Sequence, residues 1–402
     1  MAFVMKQPCG SSKGIIILTH KEGILLRSRL GCVRRAIRAL KERYLLGMHW
    51  GFYLESVPYT EVIDFDLAAD SILARRCDPH VPGINLISRN FVPDMFKPDA
   101  AVRKQWDVFT VSNNVRFKRL DQFLRTMRLV YDQRPQTRCL LVAPEDPKAS
   151  PGRWYTELMK DYARLFSADE QARFDVMLLK RGSRMHPLTQ ETLAFLLQAS
   201  KVFTLFSDRE GGSKAISESL VSGVPVVVKR TLEGGGRDYL DEHNSRQFNT
   251  IEEAATCLLD LIDHGSTFDR DSMARQLSQT YTVATLKDQL SRVFEVCDVP
   301  FEGELDFEGL DRKLPSHTTN LPRVWCHRLS DDLRSPLGLL CFIADILGEP
   351  PPGVRVRLIS TVAWWPRQIR AAVSAFAIDC VWRMPGLARL LKRLLRRPSP
   401  TS

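Results

Sequence analysis

Between residues 106 and 230 the chain repeats one pattern: a short apolar run, then a helix-length stretch, then another apolar run. The runs are WDVFTVS (106–112), RCLLVAP (138–144), VMLLKR (176–181), KVFTLFS (201–207) and VPVVVKR (224–230). WDVFTVS is a β-branched and aromatic run and the others are short and apolar, which suits strands. Between them, KRLDQFLRTMRLVYDQ (118–133) sets Leu120, Phe123, Leu124, Met127 and Val130 on one helical face. Residues 151–174, TQETLAFLLQAS (189–200) and SKAISESLVSG (213–223), the last ended by Gly223, also read as helices. Short apolar strands alternating with helices predict a parallel sheet covered on both faces. The block spans about residues 86–280 and reads as a complete Rossmann-like domain.

The 402 residues exceed one ordinary core and leave room for a second domain and an extension. GIIILTH (14–20) reads as a strand, RLGCVRRAIRALKERY (29–44) as an amphipathic helix, and GFYLESV (51–57) and EVIDFDL (61–67) as short strands. Residues 1–85 therefore form a short α/β domain, and INLISRNFVPDMFKP (84–98) leads into the second, at 86–300. FEGELDFEGLDRKLPSHTTNLP (301–322) is acidic and aperiodic, the pattern of a linker. Residues 323–402 read as a basic helical extension. In its last segment Leu387, Leu390, Leu391, Leu394 and Leu395 share a helical face, with Arg389, Lys392, Arg393, Arg396 and Arg397 off it. That segment, 383–397, suits an anionic membrane surface, or a strap across the domains with its basic side in water.

The formal charge of +10 admits nucleic acid, anionic lipid or a phosphate-bearing substrate as partner. The aromatic–basic motifs of nucleic-acid binders are missing, so no nucleic-acid partner is expected. No G-x-G-x-x-G follows the first strand, which disfavours a dehydrogenase. The nine cysteines are scattered, without C-x-x-C or zinc-like spacing, and suggest a reducing compartment. With no signal-like opening and no run long enough for a membrane span, a cytoplasmic protein is expected, peripheral on the inner membrane face if the basic helix binds there.

The chemistry concentrates in LFSDREGGSKAISESLVSGVPVVVKRTLEGGGRDYL (205–240). A strand ends at Ser207, a loop carries Glu210, Gly211 and Gly212, and a helix begins near Ser213. Loop glycines let a ligand approach the backbone closely. The first helical amides, around Gly212, Ser213, Lys214 and Ala215, are unpaired at the positive end of the helix dipole. A diphosphate fits such a corner. Glu210 at the strand's carboxyl end and Glu218 within the helix can accept hydrogen bonds from sugar hydroxyls. In open parallel sheets the ligand crevice lies at that end.

In order, Ser207, Glu210, Gly211, Glu218, Gly223, Pro225, Val226 and Val227 follow the pattern S-x-x-E-G, a second Glu eight positions on, then G-x-P-V-V, with GGGRDYL (234–240) as the closing loop. This resembles the donor signature of glycosyltransferase group 1, the retaining GT-B enzymes built from two Rossmann-like domains. KPDAAVRKQWDVFTVSNNVRFKRLDQFL is similar to the opening of that family's donor domain, where a Gly-Arg pair and a Lys-Gly clamp the diphosphate. Lys118 stands at the Lys, while Ser112 and Asn113 stand where Gly and Arg are usual, and Arg119 replaces the second Gly. Arg116 can restore the missing charge. The Asn-Asn-x-Arg-x-Lys-Arg form and the shortened N-terminal domain resemble a bacterial subgroup. The likeness covers about residues 84–250 closely, 1–83 loosely and 300–402 not at all.

The resemblance implies a GT-B-like α/β fold of two Rossmann-like domains, the N-terminal one shortened, with a C-terminal helical extension. It implies a hexosyl-type transferase that uses a UDP-, GDP- or ADP-sugar and needs no cofactor. The sugar passes to a glycan, lipid-linked or other hydroxyl acceptor with retention of configuration, in polysaccharide biosynthesis. Donor contacts fall to Lys118, Arg116, Asn113, Ser112, Gly211, Gly212, Ser213, Lys214, Ala215 and Glu218. Glu210 contacts the donor sugar near its reacting face and Glu218 holds the ribose. The N-terminal domain faces the acceptor, with Glu55 and His20 as its catalytic candidates in loops after strands. No metal is expected: Asp64 and Asp66 form an Asp-x-Asp, but in the wrong domain. Glu233 and Arg237 flank the triple glycine, which reads as a flexible turn or as a loop closing over the donor sugar. The alternative is a GT-B-type binding or scaffold protein that has lost catalysis; the short first domain and Asn113 favour it.

Overall fold

The computed structural model describes residues 3–19, 30–49, 62–67, 82–84, 92–113, 115–144, 153–179, 188–210, 213–275, 277, 279–306 and 336–348. By its contacts the chain divides into two units, Met1–Gly23 with Lys41–Arg328, and Ile24–Leu40 with Leu329–Ser402.

The first unit holds two principal sheets. Strands β1 (Phe3–Lys6), β2 (Gly14–Thr19), β3 (Tyr44–His49), β4 (Phe65–Leu67) and β5 (Gly83–Ile84) lie in that order, and helix α1 (Gly31–Arg43) leads into β3. Only the β1–β2 pair is antiparallel; β2 through β5 run parallel. Sequence patterning misses β1, β3 and β5. β3 (YLLGMH) follows directly on the helix pattern, without a turn residue to announce it, and all six of its residues are buried.

The second sheet is built from β6 (Trp106–Val111), β7 (Cys139–Pro144), β8 (Phe174–Leu179), β9 (Ser200–Leu205), β11 (Val226–Lys229) and β13 (Ser245–Phe248). Its order is β13-β11-β9-β6-β7-β8 and every neighbouring pair is parallel. Two residues of β10 (Arg209–Glu210) pair with two of β12 (Glu233–Gly234) outside it. The apolar runs become strands because helices cover both faces. On one face, α2 (Leu120–Gln133), α3 (Arg153–Leu165) and α7 (Ile251–His264) bury Phe123, Met127, Tyr162 and Leu258 against Val108, Leu141 and Val202. On the other, α5 (Gln190–Gln198), α6 (Lys214–Val221) and α8 (Arg270–Arg275) bury Leu197, Ile216, Leu220 and Met273 against Phe109, Phe203 and Val228. The face read from sequence, Leu120 through Val130, is the buried face of α2. Each large side chain removed from water there contributes roughly 1.5–3 kcal/mol.

Two boundaries differ from the sequence reading. Helix α9 (Gln279–Val296) falls in the stretch assigned to the second domain, yet Leu286, Leu290, Val293 and Phe294 complete the core of the first sheet with Met5, Ile15, Leu45 and Phe65. Its apolar stripe has no landmark in sequence to say which sheet it covers. The stretch read as a linker also begins as structure. Leu305 bridges Lys6, and the Asp306 amide donates to the Met5 carbonyl at 2.7 Å. Lys6 is buried there between the Phe294 and Phe301 rings, its ammonium donating to Ser12 Oγ at 2.9 Å and to the Lys13 carbonyl at 3.0 Å. Burial pulls its pKa below the ordinary lysine value, against the opposing pull of Cys9 and Glu302.

Beneath the second sheet a short helix, α4 (Ala168–Gln171), starts with a capping box between Ser167 and Glu170. Glu170 also receives both terminal nitrogens of Arg128, at 2.7 and 2.6 Å. The Arg128 guanidinium holds the Glu170 carboxyl down at about 2 from an ordinary 4.5. A depressed carboxylate contributes its full stability above its unfolded value and loses it as pH falls toward the folded one. Glu170→Gln should therefore cost about 1–3 kcal/mol at pH 7. Urea titrations should show the gap to the parent shrinking between pH 4.5 and 2; a gap independent of pH would exclude this origin.

In the second unit, α1 buries Val33, Ile37 and Leu40, and α10 (Pro336–Leu347) buries Leu340, Ile343 and Ala344. The structure therefore has two Rossmann-like α/β sheets and a helix in the C-terminal extension. The basic segment 383–397 lies outside the described residues. Among the described residues no helix is long and apolar enough to cross a membrane.

Candidate functional site

Parallel strands β6, β9 and β11 are neighbours, so the segments leaving their carboxyl ends converge. After β6, Ser112 is buried and its amide donates to the Val142 carbonyl at 3.0 Å, while Asn113 is exposed. A single 3-10 turn, Arg116–Lys118, follows, and α2 begins two residues later than the sequence suggests. Arg119 links the two with φ 53° and ψ 41°, the left-handed conformation usual for glycine, and no side chain caps α2. Arg116 is exposed.

After β9, Ser207 is buried and the chain enters β10. Gly211 and Gly212 lie outside the described residues. Ser213 precedes α6 without a side-chain cap, and its own amide donates to the Gly235 carbonyl at 3.1 Å, so it is not one of the unpaired amides read from sequence: the triple-glycine loop takes it. One turn into α6, Glu218 is buried, with the Lys214 ammonium 3.5 Å from its carboxylate. Burial pushes the Glu218 carboxyl above the ordinary glutamate value, and Lys214 opposes that shift. Ala215 is half-buried on the same turn.

Lys118 and Glu210, 92 residues apart in sequence, meet: the ammonium donates to Glu210 Oε1 at 2.5 Å, and both side chains are largely buried. Of the donor residues read from sequence, the structure thus brings together Lys118 with Glu210 and Lys214 with Glu218. His20 and Glu55 lie outside the described residues. Asp64 is engaged structurally, accepting from the Leu46 amide at 2.8 Å and pairing with Lys41 at 2.9 Å.

Sequence reading overlooks two residues in this corner. Asp208 pairs with Lys229, at the end of β11, and lies 3.7 Å from Arg119. Its amide donates to the Phe117 carbonyl at 2.8 Å, and its carbonyl accepts from Glu233 at 3.0 Å. Asp208 thereby ties together the segments that leave β6, β9 and β11. The signal for Lys229 was available: a lysine closing a Val-Val-Val strand of a parallel sheet stands at the ligand end. Asp208 had no comparable signal, because its role depends on a partner 21 residues away.

The triple-glycine loop is pinned in place. Arg209 pairs with Glu233 and Glu210 with Gly234. Gly234 has φ +89°, and a Cβ there would lie 1.7 Å from the Glu210 carbonyl oxygen. Arg237 donates to the Leu232 carbonyl at 3.2 Å and holds the loop from its far side.

Fold and site together define a two-sheet Rossmann-like α/β protein with lysines, paired carboxylates and an uncapped helix start at the carboxyl end of its second sheet. No protein-family model matches the chain, and no curated protein matches it in sequence. Among solved structures it is similar to TarM, at 15% identity over 69% of this chain and 54% of that one, with a TM-score of 0.49. It is also similar to the pneumococcal O-GlcNAc transferase GtfA in complex with UDP and GlcNAc, at 14% identity, 66% and 55% coverage and a TM-score of 0.45. An α,α-trehalose-phosphate synthase from Burkholderia xenovorans gives 13% identity, 64% and 70% coverage and a TM-score of 0.46. The chain spans about half the length of the first two. At these scores the functional assignment rests on the chain's own residues.

Proposed function

We propose that the chain is a glycosyltransferase that moves a sugar from a nucleoside-diphosphate donor to a hydroxyl acceptor, with retention of configuration. The observation that supports this most is the meeting of Lys118 and Glu210 beside the start of α6, one turn from buried Glu218. Departure of a nucleoside diphosphate builds negative charge at the leaving oxygen. Fixed cations and unpaired amides aimed at that charge lower the barrier. In this reading Lys118, with Arg116 and the first amides of α6, receives the diphosphate. Glu210 accepts from hydroxyls of the donor sugar, and Glu218 from those of the ribose. Ser112 and Asn113 line the diphosphate side.

The acceptor is a glycan or a lipid-linked hydroxyl compound. His20 and Glu55 serve its side of the reaction, and residues 383–397 hold the protein against an anionic cytoplasmic membrane surface. Melting the protein with UDP-, GDP- and ADP-sugars tests the donor assignment, because a ligand selective for the folded state raises its stability. One nucleotide class should raise the melting temperature and release its sugar slowly in water. Glu210→Ala should abolish that release and leave the fold intact. Absence of any shift across the panel would sink the assignment, and a shift without sugar release in the parent would favour the inactive binding protein.

A further inference from the structure

Lys118 is the cation that the proposed function assigns to the diphosphate, and its charge is answered from within the chain. Glu210 Oε1 lies 2.5 Å from the ammonium, and the two side chains are only 10% and 14% exposed. The neighbouring charges are matched in the same way. Asp208 answers Lys229 and stands 3.7 Å from Arg119, and Glu218 answers Lys214. The corner carries cations for an anionic ligand and covers them with its own carboxylates.

Both partners are anchored through their backbones. The Glu210 backbone is fixed by its pairing with Gly234, so it cannot withdraw as a loop would. Its side chain is the movable part. Lys118 sits on a single 3-10 turn, with its amide bonded to the Val115 carbonyl at 2.9 Å. An anion arriving at Lys118 therefore meets a carboxylate already in its place, which rotation of the Glu210 side chain can move aside.

We propose that Glu210 is an internal stand-in for the ligand: donor binding proceeds by exchange, with the diphosphate taking Lys118 and the displaced Glu210 carboxylate turning to the donor sugar. The exchange rests on the glycosyltransferase reading and adds to it a fixed order. Glu210 becomes available to the sugar only once the diphosphate has arrived. It also makes the catalytic carboxylate a competitor for binding, so removing its charge strengthens the hold on the diphosphate.

Nucleoside diphosphates without a sugar isolate this effect, because they offer Glu210 nothing to bind. UDP, GDP and ADP are each titrated calorimetrically into the full-length parent, Glu210→Gln, Glu210→Asp and Lys118→Met, with thermal melts as the check on folding. The nucleotide that binds the parent should bind Glu210→Gln about tenfold more tightly, the scale of a pair intermediate between exposed and buried. Glu210→Asp, whose shorter side chain reaches Lys118 poorly, should tighten binding by a smaller factor. Lys118→Met should weaken it about tenfold. Parent binding with no tightening in either Glu210 variant would overturn the exchange alone. Absence of binding to the parent and to both Glu210 variants would overturn the glycosyltransferase reading with it.

Discussion

Gly234→Ala should lower transfer on the order of 100-fold while the bulk of the protein stays folded. The added methyl would stand 1.7 Å from the Glu210 carbonyl oxygen, a backbone atom that no rotamer change can remove. The residue's φ of +89° is a second obstacle, since side-chain-bearing residues rarely adopt it. Two relaxations are available: the β10–β12 pair separates, or the chain re-folds locally around 233–236. Both shift Glu210, and displacement of a reacting group by about 1 Å can cost on the order of 100-fold in rate. The cores on the two faces of the second sheet do not depend on this pair, so the melting temperature should fall by only a few degrees, roughly what 1–2 kcal/mol produces. Circular dichroism melts and donor-sugar release measure the two effects together. Near-parent activity would show that the loop does not set Glu210.

What the sequence disclosed follows from how local each feature is. The second sheet was legible because β7 and β11 are unbroken apolar runs, and because the α2 stripe from Leu120 to Val130 is buried as its spacing requires. The strand end that carries Glu210 and the helix that carries Glu218 were legible for the same reason: a strand, a glycine-bearing loop and a helix lie consecutively in one stretch. Features that depend on distant partners were not. β3 gains its place by pairing with β2 and β4, and α9 by reaching the first sheet with Leu286 and Phe294. The triple glycine admitted two readings from sequence, a slack turn or a closing loop. The close approach of Gly234 to Glu210 was in neither reading, because that contact joins residues 24 positions apart. Arg119 shows the same limit: its standing where the resembled pattern has glycine was visible, but its left-handed backbone and its place beside Asp208 were not.

Lys118→Met should lower kcat/KM for the donor by about 100- to 1000-fold, the range for removing one fixed group that stabilises a developing anion. Methionine keeps the length and the apolar stem, so the 3-10 turn and the start of α2 should survive, and the loss reports the charge. The substitution also leaves the largely buried Glu210 without its partner, in a corner that already holds the carboxylates of Asp208 and Glu218. Repulsion between Glu210 and an incoming diphosphate is then no longer offset by the Lys118 charge, so both KM and kcat should suffer. Lys118→Arg separates charge from shape. Its guanidinium is a planar fork rather than a compact ammonium, and the site holds Glu210 by a single oxygen. If positive charge alone matters, arginine should restore most of the binding; if the short ammonium contact places the leaving oxygen, KM should recover while kcat stays low. Parent-like kinetics in the methionine variant would remove Lys118 from the diphosphate, and with it the physical basis for placing a nucleotide donor in this corner.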